Sequence, residues 1–349
     1  MRQRKPDVAV SAKMKEAMFY EQQENSAVRC HLCPHRCKIN DTKRGICGVR
    51  ENRNGTLYSL VYGKAVAKGI DPIEKKPLFH FHPGAMSYSV ATVGCNLNCK
   101  NCQNFSISQM PKGSNKRIVG EETSPQEIVA AAKDYDCRII AYTYTEPTIY
   151  FEYAYDTARL AHEAGISNVF VSNGYTTEVA IRAIAPYLDA VNIDLKGLSE
   201  DLYLKNCGGH LGPVLNAIKL YKSLDVWVEV TTLVIPTLND SEDDLRAIAE
   251  FIKGVGVDIP WHISQFYPTY KLTHIAPTPV SALRTARAIG LETGLRYVYE
   301  GNVPGEGEEN TYCYQCGELL IQRVGFQILA NNIKDSKCTS CGAKIDGLF

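Results

Sequence analysis

Along the middle of the chain, apolar residues gather in short unbroken runs. They are SYSVATVG (87–94), RIIAYTY (138–144), NVFVSN (168–173), AVNIDL (190–195), VWVEVTTLVI (226–235), WHISQF (261–266) and RYVY (296–299). Runs of this length without a polar face read as strands covered on both sides, as in a parallel sheet. Between them lie stretches with helix start signals. TSPQEIVAAAKDY offers Ser124 as a cap, Pro125 at the first helical position and Glu127 as the partner of a capping box. NDSEDDLRAIAEFIKG places its acids at the start and ends on Lys253 and Gly254, as the helix dipole prefers. Roughly six strand–helix units and a trailing strand predict an α/β domain over 86–300, a partial (β/α)6 relative of the TIM barrel. A doubly wound sheet fits the same pattern, because strand order is not written in it.

The flanks differ. Residues 1–85 open with a charged segment of helical character and continue into the cysteine-rich CHLCPHRCKINDTKRGICGVR. GTLYSLVYGKAVAKG follows and reads as a hairpin or strand pair punctuated by Gly55 and Gly63. Residues 301–349 form a small appended module, in which CYQCGELL and CTSCGAKI flank a segment suited to a hairpin.

The chain has 349 residues, 45% apolar and 22% charged, enough for a full-sized core. Acids and bases balance at 38 each, so neither a nucleic-acid footprint nor an acidic tail is supported. No apolar run approaches the roughly 18 residues of a membrane span, and the basic start lacks the apolar stretch of a secretory signal. The expectation is a cytoplasmic protein without a membrane or nucleic-acid partner.

Thirteen cysteines change the picture. Eleven fall into three groups: Cys30, Cys33, Cys37 and Cys47; Cys95, Cys99 and Cys102; Cys313, Cys316, Cys338 and Cys341. In a large chain without a signal, such grouping favours metal thiolates over disulfides. The outer pairs of the last group are two knuckles, each followed by glycine, and imply a tetrahedral four-thiolate site, with Zn2+ the expected metal. The first group offers four ligands as well, with His31 and His35 between them; Zn2+ and an auxiliary iron–sulfur cluster both satisfy it. The middle group has only three. A Cys-x-x-x-Cys-x-x-Cys loop directly after a strand can wrap one face of a cubane [4Fe–4S] cluster and leave the fourth iron free for a small molecule.

TVGCNLNCKNCQN resembles the signature of radical S-adenosylmethionine (SAM) enzymes, whose partial barrels hold such a cluster. The resemblance implies that the amino and carboxylate groups of SAM chelate the free iron. The reduced cluster then splits the sulfonium into methionine and a 5′-deoxyadenosyl radical. It also implies an electron donor such as flavodoxin or ferredoxin. Asn101 departs from the family, many members of which carry an aromatic residue before the third cysteine. Other strand ends supply candidates. Glu146 in TYTEPT resembles the acid that receives the SAM ammonium group, and it would also suit the N-terminus of the next helix. Ser172 and Asn173 in SNG suit the ribose or carboxylate, and equally a polar turn at Gly174. Asp194 and Lys196 in NIDLKG lie on one side of an extended segment, as an ion pair or as an Asp-x-Lys pair like that of glycyl-radical activating enzymes. Thr231, Thr232, His262 and Gln265 are expected to line the mouth. Cys207, in the loop NCGGHLG, is a candidate hydrogen-atom donor or relay.

The longer set TYTEPTIYFEY, NIDLKG, NCGGHLGPVL, WVEVTTLVIPTLND and GNVPGEGEENTYCYQCGELL resembles the radical SAM component of the AmmeMemoRadiSam system, related to the pyruvate formate-lyase-activating group. That name implies Memo-like and AMMECR-type partners. The expected function is hydrogen abstraction from an unidentified substrate by a radical SAM oxidoreductase. Alternatives are activation of a glycyl-radical enzyme at a protein glycine, a non-catalytic zinc-binding interaction protein, and an electron carrier.

Overall fold

The seven apolar runs become seven parallel strands in the computed structural model, which describes residues 14–303, 305 and 307–349. An antiparallel strand β1 (Ala67–Pro72) precedes them at one edge. The parallel strands are β2 (Met86–Ala91), β3 (Ile139–Tyr142), β4 (Ser167–Ser172), β5 (Ala190–Asp194), β6 (Trp227–Val234), β7 (Trp261–Gln265) and β8 (Val298–Gly301). They lie side by side in chain order, from β8 at one edge to β1 at the other, so the sheet is an open partial barrel. A doubly wound sheet reverses its order part-way; this one does not.

Helices cover the outer face: α1 (Pro125–Asp134), α2 (Phe151–Glu163), α3 (Glu178–Ile184), α4 (Leu211–Ser223), α5 (Glu242–Val255) and α6 (Val280–Thr293). Helix α1 starts at the capping box between Ser124 and Glu127, with both reciprocal bonds formed. In α5, Ser241 accepts from the Asp244 amide, and Leu245, Ile248, Ala249 and Ile252 form the buried stripe. Their spacing of three and four residues puts them on one face.

Alternation along the strands sorts the two sides of the sheet. Ile140, Tyr142, Phe170, Val191, Val228 and Val230 pack outward with the helices. Ile139, Ala141, Val169 and Ala190 point inward and meet Ile73, Leu78 and Phe81, which follow β1 and fill the lower barrel. The C-terminal residues close the floor. There Leu320, Ile321 and Ile345 pack with Phe79, Tyr297 and Tyr299, and Arg323 donates to the Phe79 carbonyl at 2.9 Å.

Three local expectations change. The first 13 residues lie outside the described ones. The rest of the charged opening forms short strands, Lys15–Glu16 and Tyr20–Gln22, rather than a helix. The hairpin forms one step earlier than read: Thr56–Ser59 pairs with Arg50–Arg53 around Asn54 and Gly55, both at positive φ. Asn-Gly is a strong two-residue turn signal, because both positions of such a turn need φ above zero. Ala67–Pro72 then leaves the extension to join the barrel sheet.

Polar residues also sit in the floor, and His262 is among them. Its Nε2 lies 2.6 Å from a Glu229 carboxylate oxygen, and its ring packs edge-on against Phe79. Beside it, His80 is fully buried, with Nδ1 donating to the Asp346 carbonyl at 2.6 Å and Nε2 accepting from Tyr299 at 2.5 Å. Burial pushes the His80 pKa down to about 4 from an ordinary 6.5. The native state therefore binds fewer protons than the unfolded chain between these values, and stability falls as pH drops through 6.5 toward 4. By pH 5 the expected loss is about 2 kcal/mol. Urea unfolding at pH 7 and pH 5 should show that loss, and it should shrink in His80→Gln.

Candidate functional site

At the C-terminal ends of the strands lies a cavity of about 500 Å³. Its wall holds the side chains of Cys95, Cys99, Cys102, Glu146, Ser172, Asn173, Asp194 and Lys196 together. The cysteine loop enters directly after β2 and is pinned from below. The Asn98 amide donates to the Cys207 carbonyl at 2.7 Å, and the Lys100 amide to the Asn206 carbonyl at 3.0 Å. Gly94, at φ +109°, starts the loop; a Cβ there would lie 2.7 Å from a Val49 methyl, so only glycine allows the approach.

Glu146 follows β3 and is fully enclosed. One carboxylate oxygen accepts from the Thr148 amide at 3.0 Å, the Thr148 hydroxyl at 2.7 Å and the Ser172 hydroxyl at 2.9 Å. The other accepts from the Asn173 amide at 2.8 Å. Glu146 caps the turn Pro147–Tyr150 and also faces the cavity. Burial raises its pKa, while these four donors oppose the rise. Asn173 turns its amide to the Asn96 side chain at 2.8 Å and lies 3.7 Å from the Cys95 sulfur. Asp194 and Lys196 form an ion pair of 3.0 Å at the rim.

The three thiols are not equivalent. Burial raises the pKa of Cys95 and of Cys102. Cys99 is pulled down to about 7, chiefly by a hydrogen bond from the Cys207 thiol. That contact corrects the placement expected for Cys207. Residues Tyr203–Cys207 wind into a π-helical turn that tucks its sulfur, fully buried, behind the cysteine loop rather than into the cavity. His262 is also not at the mouth. It shares the inward face of β7 with Ser264, which lines the cavity, but lies two residues deeper. Thr231 lines the cavity; Thr232 bonds the Leu195 carbonyl and Gln265 the Thr278 carbonyl, both on the opposite side of their strands.

Further residues reach the cavity from outside the sequence motifs. Lys75 and Lys76 extend into it, with Nζ atoms 2.7 and 2.6 Å from the Asp71 carboxylate. Tyr144 and Ser89 donate to the same carboxylate at 2.5 and 3.0 Å. These bonds hold Asp71 well below the usual carboxylate range despite its burial.

Sulfur spacing separates the metal sites. In the C-terminal quartet, Cys313 and Cys341 sulfurs lie 3.7 Å apart, and Cys316 and Cys338 sulfurs 3.8 Å apart. A single tetrahedral ion with bonds of about 2.3 Å needs edges of about 3.8 Å. Among the described residues, this quartet alone has its ligand atoms all within 4.8 Å of one another. The thiols of Cys95, Cys99 and Cys102 do not all meet that spacing, so they are not gathered around a single ion.

The profile of the Radical SAM superfamily matches residues 89–252, from β2 into α5. "Uncharacterized protein MJ0808" of Methanocaldococcus jannaschii is 49% identical over 336 residues, covering 95% of this chain and 99% of that protein. The chain belongs to the radical SAM superfamily. It is related to activating enzymes: the pyruvate formate-lyase-activating enzyme of Clostridium pasteurianum is 26% identical over 165 residues, 46% of this chain and 67% of that one. The crystal structure of Streptococcus suis SuiB bound to S-adenosylmethionine shares the fold, with a TM-score of 0.50 and 14% identity over 66% of this chain and 53% of that chain. Superfamily membership implies a [4Fe–4S] cluster and SAM. The donors present suit both: three thiols not gathered around a single ion face a cavity of about 500 Å³, which Glu146, Ser172, Asn173 and Asp194 also line. No helix among the described residues is long and apolar enough to cross a membrane.

Proposed function

We propose that the protein is a radical SAM oxidoreductase that cleaves SAM and abstracts hydrogen from a substrate at the barrel mouth. The observation that carries this reading is the meeting of Cys95, Cys99 and Cys102 with Glu146, Ser172, Asn173 and Asp194 around one cavity. When bound, the [4Fe–4S] cluster supplies one electron to the sulfonium, giving methionine and a 5′-deoxyadenosyl radical. The chain supplies position. Glu146, held rigid by four donors, receives the SAM ammonium group. Ser172 and Asn173 hold polar groups of SAM, with Asn173 fixed between Cys95 and Asn96. Asp194 and Lys196 form the rim beyond the neighbouring strand, and the filled lower barrel keeps water out from beneath.

Flavodoxin or ferredoxin would serve as electron donor, and the C-terminal quartet would hold Zn2+. The motif set supports membership of the AmmeMemoRadiSam system, with Memo-like and AMMECR-type partners. A second reading, activation of a glycyl-radical enzyme, is favoured by the similarity to the pyruvate formate-lyase-activating enzyme and by Asp194-x-Lys196. In that case the substrate is a glycine loop of a protein.

The test is spectroscopic. Reduced, cluster-loaded protein should show a [4Fe–4S] electron paramagnetic resonance signal whose g values move when SAM is added. A signal that SAM leaves unchanged contradicts the reading.

A further inference from the structure

We propose that Cys30, Cys33, Cys37 and Cys47 hold a second iron–sulfur cluster, not a single zinc ion, and that it relays the electron to the Cys95 site. The relay half of this proposal rests on the function proposed above; the cluster half does not.

Spacing argues for the cluster. The four cysteines line one small cavity whose other walls include Leu32, Ile39, Ile46 and Ile149. A single ion would draw the sulfurs to the edge length seen in the C-terminal quartet. These thiols do not meet that condition, since among the described residues only the C-terminal quartet does. A cubane places iron and sulfide between its thiolates and so needs the wider cage. The cage also carries a cationic donor. Arg50 is buried, and its Nη1 donates to the Cys30 sulfur at 3.2 Å while Nη2 pairs with the buried Glu152. Hydrogen bonds to ligand sulfur are a recognised lever on cluster potential.

Position argues for the relay. The backbone that begins the Cys95 loop is packed between the two sites. His35 Nε2 donates to the Asn96 carbonyl at 2.8 Å. The Cys47 carbonyl lies 3.3 Å from where a Cβ on Gly94 would stand. One thickness of chain therefore separates the two cysteine sets. Access argues the same way. SAM and substrate would fill the mouth and cover the Cys95 site, whereas the N-terminal knot keeps an outer edge, with Ile46 46% exposed. In residues 30–50, Arg36, Lys38 and Lys43 are exposed beside one acid, Asp41, a charge balance that suits an acidic one-electron carrier protein. In the step itself one electron passes from the reduced carrier to the N-terminal cluster and on to the Cys95 cluster. No bond forms or breaks and no proton is needed.

The cluster is tested by metal and sulfide content. After anaerobic reconstitution, the triple variant Cys95→Ala/Cys99→Ala/Cys102→Ala should retain about half of the wild-type iron and sulfide. It should stay brown and show a reduced-state resonance signal that ignores SAM. A triple variant without iron, or with an added equivalent of zinc, overturns the cluster. The relay is tested by stopped-flow bleaching of the Cys95 cluster in Cys33→Ala/Cys37→Ala. Reduction by flavodoxin should slow at least tenfold more than reduction by dithionite; equal effects on the two reductants overturn the relay. Should that variant not fold, His35→Ala keeps all four thiols and should lower the same ratio at least threefold. Neither readout requires SAM cleavage, so failure of the proposed function is seen separately, as absence of 5′-deoxyadenosine from the wild type.

Discussion

Glu146→Gln is expected to weaken SAM binding ten- to hundredfold in cluster-loaded protein. Two effects add. The variant removes the charge facing the SAM ammonium group, and charge-assisted hydrogen bonds contribute about 1.5–3 kcal/mol. It also brings an NH2 group against donors. One carboxylate oxygen accepts three hydrogen bonds and the other one, so the less costly amide orientation still sets N–H against the Asn173 N–H. The pH dependence has a definite sign. Burial raises the Glu146 pKa, so its carboxylate is lost at a higher pH than an exposed one as the medium is acidified. SAM affinity should fall over that range in wild type and vary less in the glutamine variant. Equilibrium dialysis with labelled SAM measures both. An unchanged dissociation constant in Glu146→Gln would remove this residue from the site.

Cys338→Ser is expected to lose one equivalent of zinc and to lower the melting temperature by about 10 °C. At about 2–4 °C per kcal/mol for a domain of this size, that is about 3–5 kcal/mol. The reason for so large an effect is where the module sits. Its four sulfurs tie together strands that carry Leu320, Ile321 and Arg323 onto the barrel floor. The Arg323 guanidinium stacks 4.4 Å over Phe79 and donates 2.7 Å to Thr311. Metal binding in such a site is folding free energy, so its loss loosens the floor as well as the knuckles. Elemental analysis with calorimetry is the check. Iron in place of zinc would contradict the choice of metal, and an unchanged melting temperature would show that the floor does not depend on the module.

Much of the barrel was legible because its strands are buried on both faces, and burial leaves an unbroken apolar run in the chain. The strand β1 left no such run. Ala67–Pro72 is an edge strand with alternating polar residues, paired antiparallel with Met86–Ala91 across an intervening segment, so only the fold shows that Asp71 meets Lys75, Lys76 and Tyr144. The site was legible where chemistry follows a strand end: Cys95, Glu146, Ser172 and Asp194 each lie at or just beyond one. It was misread where depth mattered. His262 and Ser264 share a face, and an offset of two residues decides which meets the cavity and which meets Glu229. Cys207 was misread because a glycine-flanked loop suggested exposure, while the π-helical turn directs its sulfur onto Cys99. Neither outcome follows from spacing alone, since both depend on how separate elements stack.

The most direct measurement is made under strict anaerobiosis on purified, cluster-reconstituted protein, reduced and supplied with SAM, with 5′-deoxyadenosine assayed by mass spectrometry. Cys95→Ala runs beside it. The expected result is 5′-deoxyadenosine from the wild type and none above background from the variant. A wild-type protein that is colourless and holds only zinc, or a variant that forms as much nucleoside as the wild type, would contradict the assignment of Cys95, Cys99 and Cys102 as the site of SAM cleavage.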